Sequence, residues 1–250
     1  MENRIPIFKR GMILDREMLD SLKDLSLDYQ SLKFQEHSDG IISGLQLRIE
    51  GDEVYISQGL IKINGSLYKV LGESSVIIPE EDGEYVCGFS NEVLLKEDKF
   101  IKKKLEIVLL KDKKEDLEFS LFKINRRKGA EIRLPEKFTG QLKEYNLLNI
   151  VNLASSTASG KMLPKGLMHY FAEELLLKTG LGLEDKLIAY FILNNSIERK
   201  TVEKYICEKQ GVDCNKADLE SLYRILSNIL EGIKESKSTN NTTKRKMMVE

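Results

Sequence analysis

Between Asp39 and Leu71 the sequence reads DGIISGLQLRIEGDEVYISQGLIKINGSLYKVL. Apolar residues alternate through Leu45, Leu47 and Ile49, then Val54 and Ile56, then Ile61 and Ile63. A period of two is the mark of a half-buried β-strand, because successive side chains point to opposite faces. The runs are broken at Glu50-Gly51-Asp52, Gln58-Gly59 and Asn64-Gly65. The last break predicts a type I′ hairpin, whose two central residues both need positive φ. Residues 39–71 therefore fold as a compact antiparallel meander, and no obvious reacting group lies within it.

Strand patterning continues beyond the meander, at Ser75–Ile78, Glu84–Phe89, Lys104–Leu110 and Phe119–Asn125, with the charged stretch Lys111–Asp116 suited to an exposed hairpin loop. Ahead of it, Asp15 is a good N-cap for a helix carrying Met18, Leu19, Leu22 and Leu25 on one face. After Pro135 the apolar spacing turns helical. Helices are expected around Gly140–Val151, Pro164–Lys178, Leu183–Leu193, from an Asn195/Glu198 capping box to Gly211, and Lys216–Glu235. The small polar run Ala154–Gly160 reads as a loop or linker.

The fold class that follows is α+β: an N-terminal antiparallel β-rich domain with a leading helix, then a C-terminal all-α bundle. The corresponding boundaries are an arm and helix over 1–29, the β-rich domain over 30–136, the helical domain over 137–236 and a polar tail over 237–250, mobile unless a partner holds it.

Composition narrows the function classes. Lys and Arg number 39 against 40 Asp and Glu, so net charge gives no reason to expect a nucleic-acid binder. A hydrophobic content of 41% supports packed cores. The charged N-terminus MENRIPIFKRGMILD has no apolar run suited to a signal peptide, and no segment approaches the ~20 apolar residues of a membrane span. Three cysteines at irregular spacing, Cys87, Cys207 and Cys214, do not read as a disulfide framework, and synthesis in a reducing compartment is expected.

A search for catalytic motifs returns no phosphate loop, dinucleotide turn, nucleophile elbow or zinc helix. Glu36-His37-Ser38-Asp39 gathers an acid, an imidazole and a hydroxyl, but sequence neighbours rarely face one another, and Asp39-Gly40 reads as a turn. Cys207 and Cys214 with His169 lack the tight pairs of structural zinc. Cys87 reads as a small apolar strand residue, and Glu80-Glu81-Asp82 as a solvated turn rather than acids held across a substrate. Of the basic runs, Lys102–Lys104 and Arg126–Lys128 read as solvated edges or loops, while Lys244-Arg245-Lys246 suits an acidic partner or nucleic acid. Ser43-Gly44 and Gly59 read as backbone geometry, and Tyr68 as a half-buried strand residue. No catalytic, cofactor-binding or metal-binding residue is assigned.

Three elements over residues 5–75 carry a resemblance: Ile41-Ile42-Ser43-Gly44-Leu45, Ile56-Ser57-Gln58-Gly59 and Gly65-Ser66-Leu67-Tyr68. Together they resemble a segment near the N-termini of baseplate and tail-fibre proteins of contractile phage tails and phage-tail-like bacteriocins. The resemblance implies a non-enzymatic structural component of a contractile phage tail-like particle, at the baseplate or connecting it to the tail fibre. It implies attachment through the N-terminal module to other baseplate or tail-fibre proteins, in several copies per particle, with no cofactor. The protein would be cytoplasmic during assembly and then part of a released particle. Two other readings stand beside it. One is a helix-turn-helix regulator built on Asn195–Gly211, which the acids Glu198, Glu203 and Glu208 weigh against. The other is a tail-associated cell-wall hydrolase, which lacks a site.

Overall fold

The computed structural model describes residues 10, 11, 13, 15–90, 93–96, 101–111, 117–194, 197–211 and 217–233. The chain is α+β. It opens with helix α1 (Arg16–Lys33), capped as expected by Asp15, whose carboxylate accepts the Met18 amide at 2.8 Å.

The meander forms one long ribbon. Strands β1 (Gly40–Gly44) and β2 (Leu47–Glu50) run out, and β3 (Glu53–Ile56) and β4 (Gly59–Ile63) run back. Leu47 faces Ile56 and Gly44 faces Gly59, so one register carries through both halves, and Ile42 is the bulge that shifts it beyond Ser43. The Asn64-Gly65 turn has φ of 49° and 74° and returns the chain into β5 (Ser66–Val70), as the hairpin signal predicts. Strand β6 (Ser74–Ile77) adds to β3, giving the sheet β2-β3-β6.

A second sheet is built on β7 (Gly83–Ser90), flanked by β10 (Ile107–Lys111) and β11 (Leu117–Arg126). Its central run Tyr85-Val86-Cys87-Gly88-Phe89 is wholly buried, which is why it reads as continuous rather than alternating apolar sequence. Strands β8 (Val93–Lys96) and β9 (Ile101–Lys104) form a separate hairpin, so Lys102–Lys104 lies in a strand. Since β10 and β11 both pair with β7, they are not the hairpin that the charged stretch suggests. Residues 112–116 of that stretch are outside the described set.

Two expectations after Pro135 are corrected. Residues 140–151 form no helix. Arg133 and Leu148 bond to Asn146 and Arg133, and Lys123 and Asn149 bond to each other, so backbone groups a helix would use are taken by extended pairing. Asn146 has φ of 55°, and its buried side chain accepts the Arg127 amide and donates to the Arg127 carbonyl. The supposed linker is a hairpin of β12 (Ser155–Thr157) and β13 (Gly160–Met162), with β12 joining β1 in parallel to complete the sheet β13-β12-β1-β4-β5. Two of its buried hydroxyl residues have partners there: Ser156 Oγ donates to the Ser38 carbonyl and Thr157 Oγ1 to the Gly160 carbonyl. Their smallness also suits the close approach of Gly40, where a Cβ would lie 2.9 Å from the Ala154 oxygen.

Four helices follow: α2 (Lys165–Leu176), α3 (Leu183–Asn194), α4 (Arg199–Gln210) and α5 (Leu219–Gly232). Gly211 ends α4 at φ 66°, as expected. The capping box is not formed as read. Glu198 is itself the N-cap residue of α4, and its carboxylate turns instead to the amide and hydroxyl of Ser159. Asn195 lies outside the described residues, as do the arm over 1–9, Cys214, Lys216 and everything after Ile233.

Helices and sheets share one hydrophobic core, running from Ile56 and Phe122 through Phe138 to Phe171 and Leu226. Phe138 is the joint: its ring lies 5.2 Å from Phe171 and 4.9 Å from Tyr223, whose hydroxyl donates to the Phe138 carbonyl. Among the described residues no helix is long and apolar enough to cross a membrane.

Candidate functional site

The ribbon bends at Gly44-Leu45 and Gln58-Gly59, where it passes from one sheet into the other. A Cβ on Gly59 would lie 2.5 Å from the Ser43 carbonyl and 2.8 Å from the Leu45 amide, and one on Gly44 would collide with the Gln58 carbonyl. Gly44 also has φ of 70°, and Leu45 is held at φ 55° with its side chain fully buried. Only glycine fits at both crossing points. The bend is secured by Leu45 donating to the Gln58 carbonyl, Ser57 to the Gln46 carbonyl, and Gln46 to Ser57 Oγ. The Ser-Gly-Leu and Ser-x-Gly steps of the sequence are thus two sides of one backbone crossing.

Beside the bend, Lys62 on β4 is buried between Ile61 and Ile63. Its ammonium donates to the carbonyls of Phe34, Gln35 and His37 at 2.9, 3.1 and 2.7 Å. These carbonyls lie just past the C-terminal end of α1, where a cation also meets the negative end of the helix dipole. Asp39 accepts the Gly65 amide at 3.0 Å, tying the same stretch to the hairpin turn. This anchorage holds the end of α1, which is roughly 27 Å long at 1.5 Å per residue and has Leu19, Tyr29 and Leu32 exposed. None of its described side chains joins the core. A groove of about 580 Å³, lined by Ile42, Gly44, Leu47, Pro135, Pro164 and Tyr170, runs along the other side of the bend.

The residues singled out in the sequence take other places. His37 lies edge-on to Phe34 with Nδ1 3.4 Å from Ser156 Oγ; Ser38 contacts β12 and Asp39 the hairpin, so the four residues 36–39 do not converge. Cys87 is buried, and loss of hydration pushes its thiol up to about 12. Cys207 and His169 are exposed on different helices, and among the described residues no three His, Cys, Asp or Glu side chains are grouped to hold a metal ion. Glu81 pairs with Lys111, Asp82 accepts the Lys128 amide, and Glu80 faces a cleft of about 700 Å³. Tyr68 is half-buried against the core.

Arg126 departs from its reading as a solvated loop residue. Inward alternation along β11 buries it with Phe122 and Ile124, and its guanidinium bonds Asp52 at 2.6 Å and the Ala130 carbonyl at 2.5 Å. On α4, Arg199 is likewise buried, paired with Glu203 at 2.6 Å and bonded to the carbonyls of Lys161 and Ala217, while Lys209 pairs with Asp185. Of the four cations Arg199, Lys200, Lys204 and Lys209 that a recognition helix would turn to phosphate, Arg199 and Lys209 are therefore paired within their own chain.

No family model and no curated protein matches the chain. Solved structures similar to it include two baseplate proteins. One is described as the structure of the type VI secretion system TssK-TssF-TssG baseplate subcomplex, with TM-score 0.44, 8% identity, and coverage of 92% of this chain and 100% of that one. The other, a crystal structure of TssK, has TM-score 0.34, 10% identity, and coverage of 92% and 68%. Neither likeness fixes a family.

Lys62 is the anchoring residue of the candidate site that sequence reasoning missed. A single Lys between two inward isoleucines reads as the solvent face of a strand, and its partners are main-chain carbonyls that no sequence pattern displays.

Proposed function

We propose that this protein is a structural component of the baseplate of a contractile injection machine, of the phage tail-like kind, attached through its N-terminal module. The observation that carries the reading is α1. Most helical stability in proteins comes from packing an apolar face rather than from propensity, and this helix exposes Leu19, Tyr29 and Leu32 while giving no described side chain to the core. Such a helix gains stability when a partner covers its apolar residues. The bent ribbon supports the reading, since the elements that resemble baseplate and tail-fibre proteins are the ones that build the bend and the hairpin turn after β4. In this role the chain catalyses nothing, and its partners are other baseplate or fibre proteins.

The test is purification of contractile particles from cells expressing the gene with its neighbours, followed by mass spectrometry and electron microscopy. The chain is expected at fixed stoichiometry in baseplate-containing fractions. Its absence from intact particles would overturn the proposal, and sequence-specific DNA retention by the full chain would favour a regulator instead.

A further inference from the structure

Strand β2 ends its sheet with one side open. Gln46 turns its carbonyl to the Ser57 amide, and backbone groups alternate sides along an antiparallel strand. Those of Leu47 and Ile49 therefore point away from β3, where no described residue bonds them. The groove of about 580 Å³ runs along Leu47 and the cleft of about 700 Å³ along Ile49, and the two meet at Leu134. Together they make one trough beside an unpaired strand edge.

The two halves of the trough differ in charge. Lys165 is the one charged residue among the described lining of the groove, and it opens α2. The N-cap of that helix is Pro164, with no side-chain cap and no acid in the first turn, so this end attracts an anion. In the cleft, Arg48 is paired with Glu50 and Arg126 with Asp52. That leaves Glu80 and Glu131 against Lys128, so the cleft is acidic on balance.

We propose that the trough receives the chain's own C-terminal segment, Lys244–Glu250, added as a strand antiparallel to β2. Residues 234–250 lie outside the described residues, and their sequence supplies the match in order. Lys244-Arg245-Lys246 meets the acids of the cleft. Met247-Met248-Val249 meets Ile42, Leu47, Leu134 and Tyr170, and the Glu250 side chain meets Lys165 and the first amides of α2. Strand β2 runs from the groove towards the cleft, so only the antiparallel direction sets each charge on its opposite. Open strand edges bind extended segments in this way. The connection is long enough. Tyr170 lines the groove, and its neighbour Phe171 is joined through Phe138 to Tyr223. Ile233 lies about 15 Å further along α5, and the thirteen residues 234–246 extend over roughly 43 Å. The pairing holds whether or not the chain sits in a baseplate.

Hydrogen exchange of the full chain tests it. The Leu47 and Ile49 amides should exchange about 10-fold faster in K244E/R245E/K246E and in M247D/V249D than in the native protein, with exchange in β7 unchanged. E80K/E131K should open the edge in the same way, and its combination with K244E/R245E/K246E should restore protection by reversing both partners. Native exchange at this edge as fast as in the tail variants would overturn the proposal, as would failure of the combined variant to recover. Protection that rises with protein concentration would also overturn it and assign the strand to the tail of a second copy.

Discussion

Gly44 and Gly59 face each other across β1 and β4 with no room for a side chain on either. The two strands cross there at van der Waals contact of their backbones, and the ribbon turns from one sheet into the other. Gly44→Ala and Gly59→Ala should therefore each cost about 3 kcal/mol of stability, at the upper end for single substitutions. Gly166→Ala, in the first turn of α2 with open space around it, should be neutral or slightly stabilising. Urea unfolding of the three variants checks the contrast, and equal losses for all three would refute the crossing as the reason.

Lys62 holds the end of α1 by three carbonyls. Lys62→Met keeps the length and apolar stem but removes the ammonium that the half-buried Phe34, Gln35 and His37 carbonyls share, a loss of about 2 kcal/mol. The damage should be local as well as global. Hydrogen exchange should accelerate through Phe34–Asp39 and the last turn of α1 more than in β7. Uniform acceleration across the chain would show that the contact does not anchor the helix.

Much of this architecture is legible in the sequence, and the parts that are not share a physical cause. Period-two alternation, Asn64-Gly65 and Asp15 act locally, so the ribbon, its hairpin and the α1 cap could be read directly. Ser155–Thr157 could not, because small hydroxyl residues look like a linker until Ser38 and Gly40, over a hundred positions away, supply their partners. The apolar residues Leu147, Leu148 and Val151 sit at spacing compatible with a helix, but Asn146 at positive φ and the pairing to Arg133 hold them extended. Arg126 has the same explanation: its burial depends on Asp52, in a turn between other strands. The Gly44 and Gly59 reading as backbone geometry was available from sequence, whereas Lys62 was not.

The join between α3 and α4 should be sensitive to acid. Burial alone would raise the Asp185 carboxyl, but hydrogen bonds from Lys209, Tyr205 and the Gly182 amide outweigh it and hold it below its usual range. Burial and the Asp185 carboxylate push the Tyr205 phenol up, so it stays a donor. A depressed folded-state pKa gives stability that is present above the unfolded value of about 4 and is lost as pH falls through the folded value. Asp185→Asn should lower stability by about 2 kcal/mol at pH 7 and flatten its decline below pH 4. A decline unchanged from the native protein would place the acid sensitivity elsewhere.

The central claim is that α1 docks the chain into a larger assembly through its outward apolar residues. The direct measurement is incorporation of the L19E/Y29E/L32E variant into contractile particles purified from cells expressing it with its neighbouring genes. These side chains are exposed and outside the core, so the variant should fold, melt as the native protein does and remain soluble. The account predicts that it is absent from the particles. Incorporation at the native level, with the same folded stability, would contradict it.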